Sequence, residues 1–180
     1  MRSWCTLLVV LVLLPLVHAL GAWQQPKYSL GCILEEIPGE KRALVAPRRQ
    51  LPTSFDWRSY NGHNWMTPVK DQRDCGSCVA FATTGVVEAV YKIRYNMPDW
   101  NPDLSEQHLF SCGGGSCEDG WYISAALNYY KEYGVPDEDC YPYRALDAGT
   151  GAPCSDTCSD WEQRAYRITD WFWVSSDIES

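Results

Sequence analysis

Apolar and polar positions divide the chain into stretches of different kinds. Residues 1–19 open with Arg2, run through an apolar core from Leu7 to Val17 and reach Val17-His18-Ala19, the pattern of a secretory signal peptide. Pro15, His18 and the shortness of the run fall below the roughly 20 apolar residues of a spanning helix, so no stable membrane span is expected once the signal is removed. Residues 20–50 are mixed and polar, with a turn at Pro38-Gly39 and basic Lys41, Arg42, Arg48 and Arg49; they are read as a short propeptide or linker. From Leu51 the aromatic and apolar density rises and stays high, so residues 51–180 are expected to hold the folded part. Gly76–Tyr95 is almost wholly apolar, with Thr84, Glu88 and Lys92 recurring at i, i+4 and i+8, which predicts a buried helix with one solvated edge. A second helix is expected from Ser105 as N-cap to about Cys112. A third should run from about Trp121 to Tyr133, with Gly134 placed for a left-handed end and Pro136 beyond it. Ile168–Val174 is a β-propensity run for which the chain offers no evident partner strand.

Charge and cysteines narrow the class. A formal net charge of -8 and the lack of a basic patch leave nothing to neutralise phosphates, so no nucleic-acid partner is expected. Nine cysteines in a chain routed to an oxidising compartment point to disulfides rather than zinc. A ribbon built on Cys75, Cys78, Cys112 and Cys117 is the metal alternative, and no metal or cofactor is expected. With Cys78 left free, Cys75, Cys112, Cys117, Cys140, Cys154 and Cys158 form an even set whose connectivity spacing alone does not choose.

The candidate chemistry lies at Cys75-Gly76-Ser77-Cys78, which opens the long predicted helix. A thiol there feels the positive end of the macrodipole and unpaired N–H groups, both of which favour the nucleophilic thiolate. Gln72, six residues earlier, carries a side-chain amide that can donate to a developing oxyanion together with the backbone N–H of Cys78. One nucleophile with two such donors is an acyl-transfer site.

Asp56-Trp57-Arg58, Thr67-Pro68-Val69-Lys70-Asp71-Gln72, Cys75-Gly76-Ser77-Cys78, Leu104-Ser105-Glu106-Gln107 and Tyr141-Pro142-Tyr143, in that order, resemble the papain-like cysteine peptidases; the cysteine signature is also a general family example. The resemblance implies an α+β fold, mainly the helical left-hand domain of the family, with the strand-rich right-hand domain largely missing. It implies hydrolysis of peptide or protein substrates by Cys78 through a thioester, with Gln72 in the oxyanion hole. Gly120 would offer its backbone to the substrate residue before the scissile bond, and Trp121 and Tyr122 would line that residue's pocket with an apolar or aromatic preference. It further implies Cys75 bonded to Cys117 and Cys112 to Cys154, leaving Cys140 with Cys158; exchange of Cys140 for Cys154 stays open. A secreted or lysosome-like location follows.

Departures from the family pattern are Val79 in place of Trp, Arg73 where Gly follows the oxyanion Gln, and Asp119 in place of the first Gly before the pocket. The family's catalytic His and Asn lie about 130–150 residues after the Cys, beyond the last residue here. The three histidines, His18, His63 and His108, are read as a signal residue and two surface or half-buried side chains. The chain alone is therefore expected to be inactive and marginally folded. Cys32, in a pro-segment similar to the short cysteine-bearing propeptide of the cathepsin X type, is expected to hold Cys78 in a reversible disulfide until reduction and cleavage near Arg48 or Arg49. Two other classes compete: a non-catalytic secreted module that binds peptides or a partner, and a thiol oxidoreductase using Cys75-x-x-Cys78.

Overall fold

The computed structural model describes residues 31–36, 42–43 and 52–174; the signal peptide read at 1–19 and the basic pair Arg48-Arg49 lie outside them. Three helices pack on one another around a common core: α1 (Cys78–Tyr95), α2 (Glu106–Gly113) and α3 (Ile123–Glu132). Val79, Ala80 and Val87 of α1 meet Leu109 and Phe110 of α2 and Ala126 and Tyr130 of α3, with Leu104 and Val135 closing the cluster. A short α4 (Trp161–Arg164) follows. Among the described residues no helix is long and apolar enough to cross a membrane.

Local chemistry sets the helix ends. Ser105 caps α2 by accepting the His108 N–H at 2.9 Å, and its own hydroxyl donates to the Tyr141 carbonyl at 2.6 Å, so one buried side chain both starts the helix and ties it to a distant loop. Helix α1 ends in a left-handed residue, Asn96 (φ 53°), with Lys92 and Arg94 in its last turn, the end at which cations are favourable. Beyond α3, Gly134 takes φ +81° and its N–H reaches the Tyr129 carbonyl at 3.1 Å.

The polar stripe of α1 is not a solvated edge. Thr84, Glu88 and Lys92 are buried, whereas Val86 and Val90 on the same helix are exposed. Each of these three groups has a partner from elsewhere in the chain: Thr84 bonds the Tyr130 hydroxyl at 3.0 Å, and Lys92 donates to the Met66 carbonyl at 3.1 Å. Glu88 accepts from the Leu104 N–H at 2.8 Å and the Thr67 hydroxyl at 2.6 Å. Satisfied in this way, the stripe can face inward without the penalty of an orphaned polar group.

The run at 168–174 is also shorter as a strand than its composition suggests. Only Trp173–Val174 (β2) is a strand, paired in parallel with Arg42–Ala43 (β1), so a partner strand does exist within the chain. Three disulfides clamp the loops: Cys75–Cys117, Cys112–Cys154 and Cys140–Cys158.

Candidate active site

Cys78 is the first residue of α1 and is half-buried with a free thiol. The approach to it is rigid. Cys75, three residues before, is bonded to Cys117, and the Gly76 N–H donates to the Cys117 carbonyl at 3.0 Å. Because Cys117 holds Cys75, the Cys75-x-x-Cys78 pair cannot cycle as a dithiol, which removes the motif that the oxidoreductase reading needs. The same bond, with Cys112–Cys154, takes three of the four sulfurs of the hypothetical zinc ribbon.

Gln72 precedes the Cys75 turn, and its Nε2 donates to the Cys75 carbonyl at 2.9 Å, which draws the amide towards the start of α1. A depression of about 240 Å³ bounded by Lys70, Asp71, Gln72 and Phe81 opens on this side. Arg73, where the family has Gly, sits in the left-handed region at φ 53°, a conformation that costs a non-glycine residue roughly 1 kcal/mol. Its N–H is tied to Asp71 Oδ1 at 2.8 Å.

Across from this turn lies Gly120 at φ +83°. The turn before it is closed by Ser116, whose hydroxyl pairs with Asp119 Oδ2 at 3.0 Å and accepts the Asp119 N–H at 3.1 Å. Left-handed backbone is therefore needed at Gly120 and not at Asp119, so the acidic replacement costs no backbone freedom. Trp121 behaves differently from the pocket-lining side chain expected of it. Its indole is buried, edge-on to Phe110, and a Cβ at Gly113 would meet it at 2.4 Å. The backbone of Trp121 faces outward in its place, and Tyr122 is exposed.

That backbone is already occupied by the chain itself. The Trp121 N–H donates to the Gly31 carbonyl at 2.6 Å and the Ile33 N–H to the Trp121 carbonyl at 3.0 Å, so that Cys32 bridges Trp121 in parallel register. Farther along, Glu35 Oε1 accepts the Ser124 N–H at 2.9 Å and its other oxygen accepts the Ser124 hydroxyl; both donors belong to the first turn of α3, where a carboxylate is electrostatically favoured. Gly31 threads between two other glycines. A Cβ on Gly31 would lie 1.8 Å from the Gly76 carbonyl oxygen, and one on Gly120 would lie 2.1 Å from the Gly31 carbonyl oxygen. No sequence signal reveals this stack of bare backbones; three glycines far apart in the chain form it. Cys32, like Cys78, is a free thiol.

Neither described histidine is placed for catalysis. His108 is buried, not superficial: Nδ1 lies 3.2 Å from the Thr157 hydroxyl and Nε2 lies 3.1 Å from the Tyr129 hydroxyl. Burial pushes its pKa down to about 4, the behaviour of a neutral structural imidazole. His63 is exposed in a turn bridged to Tyr60.

Residues 51–179 match a family model described as papain family cysteine protease. The chain is 41% identical over 100 residues to digestive cysteine proteinase 1 of Homarus americanus, covering 53% of this chain and 29% of that protein. It is 38% identical over 96 residues to stem bromelain of Ananas comosus, covering 53% and 42%. The solved digestive procathepsin L2 of Tenebrio molitor larval midgut superposes with a TM-score of 0.59 at 26% identity, over 77% of this chain and 44% of that one. The chain thus spans less than half the length of the curated relatives it matches.

Proposed function

The chain belongs to the papain family of cysteine proteases and has its fold, and from that premise we propose that it carries the nucleophilic half of a peptidase site. Cys78 thiolate attacks the carbonyl carbon of a peptide. The tetrahedral oxyanion is met by the Cys78 backbone N–H and the Gln72 amide, and its collapse breaks the C–N bond and leaves a thioester on Cys78. The departing amine needs a proton. Among the described residues His108 is engaged on both ring nitrogens and His63 sits in its own turn, so neither supplies this proton; the imidazole comes from elsewhere, and the described part alone does not turn over. Peptides and proteins are the substrates, the Gly120 and Trp121 backbone is their docking edge, and exposed Tyr122 offers an apolar surface to the side chain beside it. Residues 51–180 form the peptidase portion and 20–50 the propeptide, behind a signal at 1–19; secreted or lysosome-like delivery agrees with the three disulfides.

The observation that carries this reading is that an extended peptide, the chain's own residues 31–36, is hydrogen-bonded along Trp121 and lies against the turn that ends in a free Cys78. A binding module without chemistry would not need an unpaired thiol there. The reading is tested by treating the reduced chain with a peptidyl epoxide, which is attacked by a thiolate. Covalent addition is expected at Cys78 and should vanish in Cys78→Ser; addition spread over other residues, or none, would reject it.

Latency is part of the same proposal. Cys32 and Cys78 lose two protons and two electrons to a disulfide oxidant of the secretory route and form a mixed disulfide, which thiol reductants reopen. Mass spectrometry of peptides from unreduced protein secreted by cells should find Cys32 joined to Cys78. Free thiols at both positions in that material would end the idea.

A further inference from the structure

The Tyr-Pro-Tyr segment has no role in the site as described so far, yet the hydroxyl of its second tyrosine lies inside it. Tyr143 Oη donates to the backbone carbonyl of Gln72 at 2.8 Å and lies 2.6 Å from Ser77 Oγ. A phenol has one proton, so with that proton on Gln72 the Ser77 hydroxyl is the donor in the second contact. Ser77 is fully buried and immediately precedes the nucleophile. It does not cap α1 with its side chain, although that is the usual task of a serine at such a position. A closed circuit results: Ser77 to Tyr143, Tyr143 to the Gln72 carbonyl, Gln72 Nε2 to the Cys75 carbonyl at 2.9 Å, and back along the backbone to Ser77. The Tyr143 ring is fixed edge-on to Phe81 of α1 at 4.8 Å, and its N–H is held by Glu138 Oε1 at 2.6 Å.

Granted the peptidase reading of Cys78 and Gln72, on which it rests, we infer that Tyr143 is a positioning residue that sets the spacing of the two oxyanion donors. It bonds the backbone of the residue carrying one donor and the side chain of the residue preceding the other. A nucleophile can act from many angles, but an oxyanion hole works only when both donors converge within a few tenths of an ångström on one oxygen. Loss of the hydroxyl should therefore weaken capture of a tetrahedral adduct while leaving the thiol itself as reactive as before.

Two reagents separate these effects on the reduced full chain. A peptide aldehyde carrying 13C at the aldehyde carbon adds Cys78 to its carbonyl, the thiol proton passing to the new oxygen, and the resulting tetrahedral carbon is read by NMR. Iodoacetamide alkylates the same sulfur with loss of iodide and creates no oxyanion. Tyr143→Phe keeps the ring against Phe81 and is expected to weaken aldehyde affinity about tenfold with an alkylation rate within about twofold of the parent. Ser77→Ala should reproduce this, and the double variant should be no weaker than either single one, because both break one circuit. Should Tyr143→Phe fail to fold, Ser77→Ala carries the comparison. Unchanged aldehyde affinity, or a parallel fall in both reactions, overturns the positioning role. If the parent chain forms no adduct that Cys78→Ser abolishes, the peptidase reading fails, and this inference with it.

Discussion

Lys70→Ala is expected to cost the fold about 3–5 kcal/mol at pH 7.5 and only about 1–2 kcal/mol at pH 5. Among the described residues, the Lys70 ammonium lies amid four carboxylates. It bonds Glu106 at 2.8 and 3.0 Å and Asp103 at 2.6 Å, and lies 3.8 Å from Glu88; Glu138 adds further charge nearby. Glu88 and Glu106 are buried, so removing Lys70 strands two carboxylates without a counter-ion. Burial pushes the Glu106 pKa up to about 7 even against the pull of Lys70, and burial also raises Glu88 and Glu138. Burial would lower Lys70, but the field of Glu106 and the bonds to Asp103 and Glu106 outweigh it and raise its pKa, so it stays charged throughout this range.

A carboxyl group whose pKa is higher in the fold than in the open chain favours folding most below its unfolded value, about 4.5, and loses that advantage as pH rises towards 7. His108 has the opposite sign: its pKa, depressed to about 4, makes the fold lose stability as pH falls from about 6.5. Over pH 4.5 to 6.5 the two trends oppose each other in the parent chain. The difference between Lys70→Ala and parent cancels His108 and isolates the cluster. Urea unfolding at the two pH values measures it. An equal loss at both would mean that Lys70 acts through the packing of its aliphatic stem and that its charge is incidental.

The carboxylate cluster also marks the boundary of what the sequence reveals. Helix positions were legible because their signals are local: the serine before Glu106, the glycine two residues past Glu132, the apolar run after Cys78. The face of α1 that turns inward was not legible. Thr84, Glu88 and Lys92 have the spacing of a solvated stripe, and only Thr67, Leu104, Tyr130 and Met66, brought in by the tertiary fold, make their burial affordable. The nucleophile and Gln72 could be found by motif because the chemistry demands those side chains at that spacing. Tyr143 could not be given a role, because its bonds span 66 and 71 residues. Trp121 was misdirected for a related reason: an aromatic residue beside a substrate-facing glycine serves equally well as pocket wall or core plug, and the small residue Gly113 decides for the core. Cysteine spacing chose no connectivity, the family resemblance left Cys140 and Cys154 interchangeable, and only the fold, which brings Cys154 to the end of α2, separates them.

Gly31→Ala is expected to raise the iodoacetamide reactivity of Cys78 in the reduced full chain by about two orders of magnitude. The added methyl would sit 1.8 Å from the Gly76 carbonyl oxygen and 2.5 Å from its carbon, well inside contact distance. Neither side can yield cheaply. Gly76 is held by the Cys75–Cys117 disulfide and by its own bond to Cys117, and Gly31 is held by Trp121 and backed by Gly120. Overlap of this kind costs about 1–3 kcal/mol where the structure can relax, and the upper end, about 3 kcal/mol, corresponds to roughly a hundredfold shift in how often the segment lies down. Gly31 is not among the left-handed glycines, so alanine meets no backbone penalty of its own and the effect reports the contact alone. Gly85→Ala is the matched control, since a Cβ there meets nothing within 4 Å; it should leave Cys78 reactivity unchanged. Glu35→Gln, which keeps the shape of the clasp on Ser124 but removes its charge, should release the segment only partly, by about threefold to tenfold. If Gly31→Ala leaves Cys78 as slow as in the parent, the segment at residues 31–36 does not guard the thiol, and latency would have to rest on the Cys32–Cys78 bond alone.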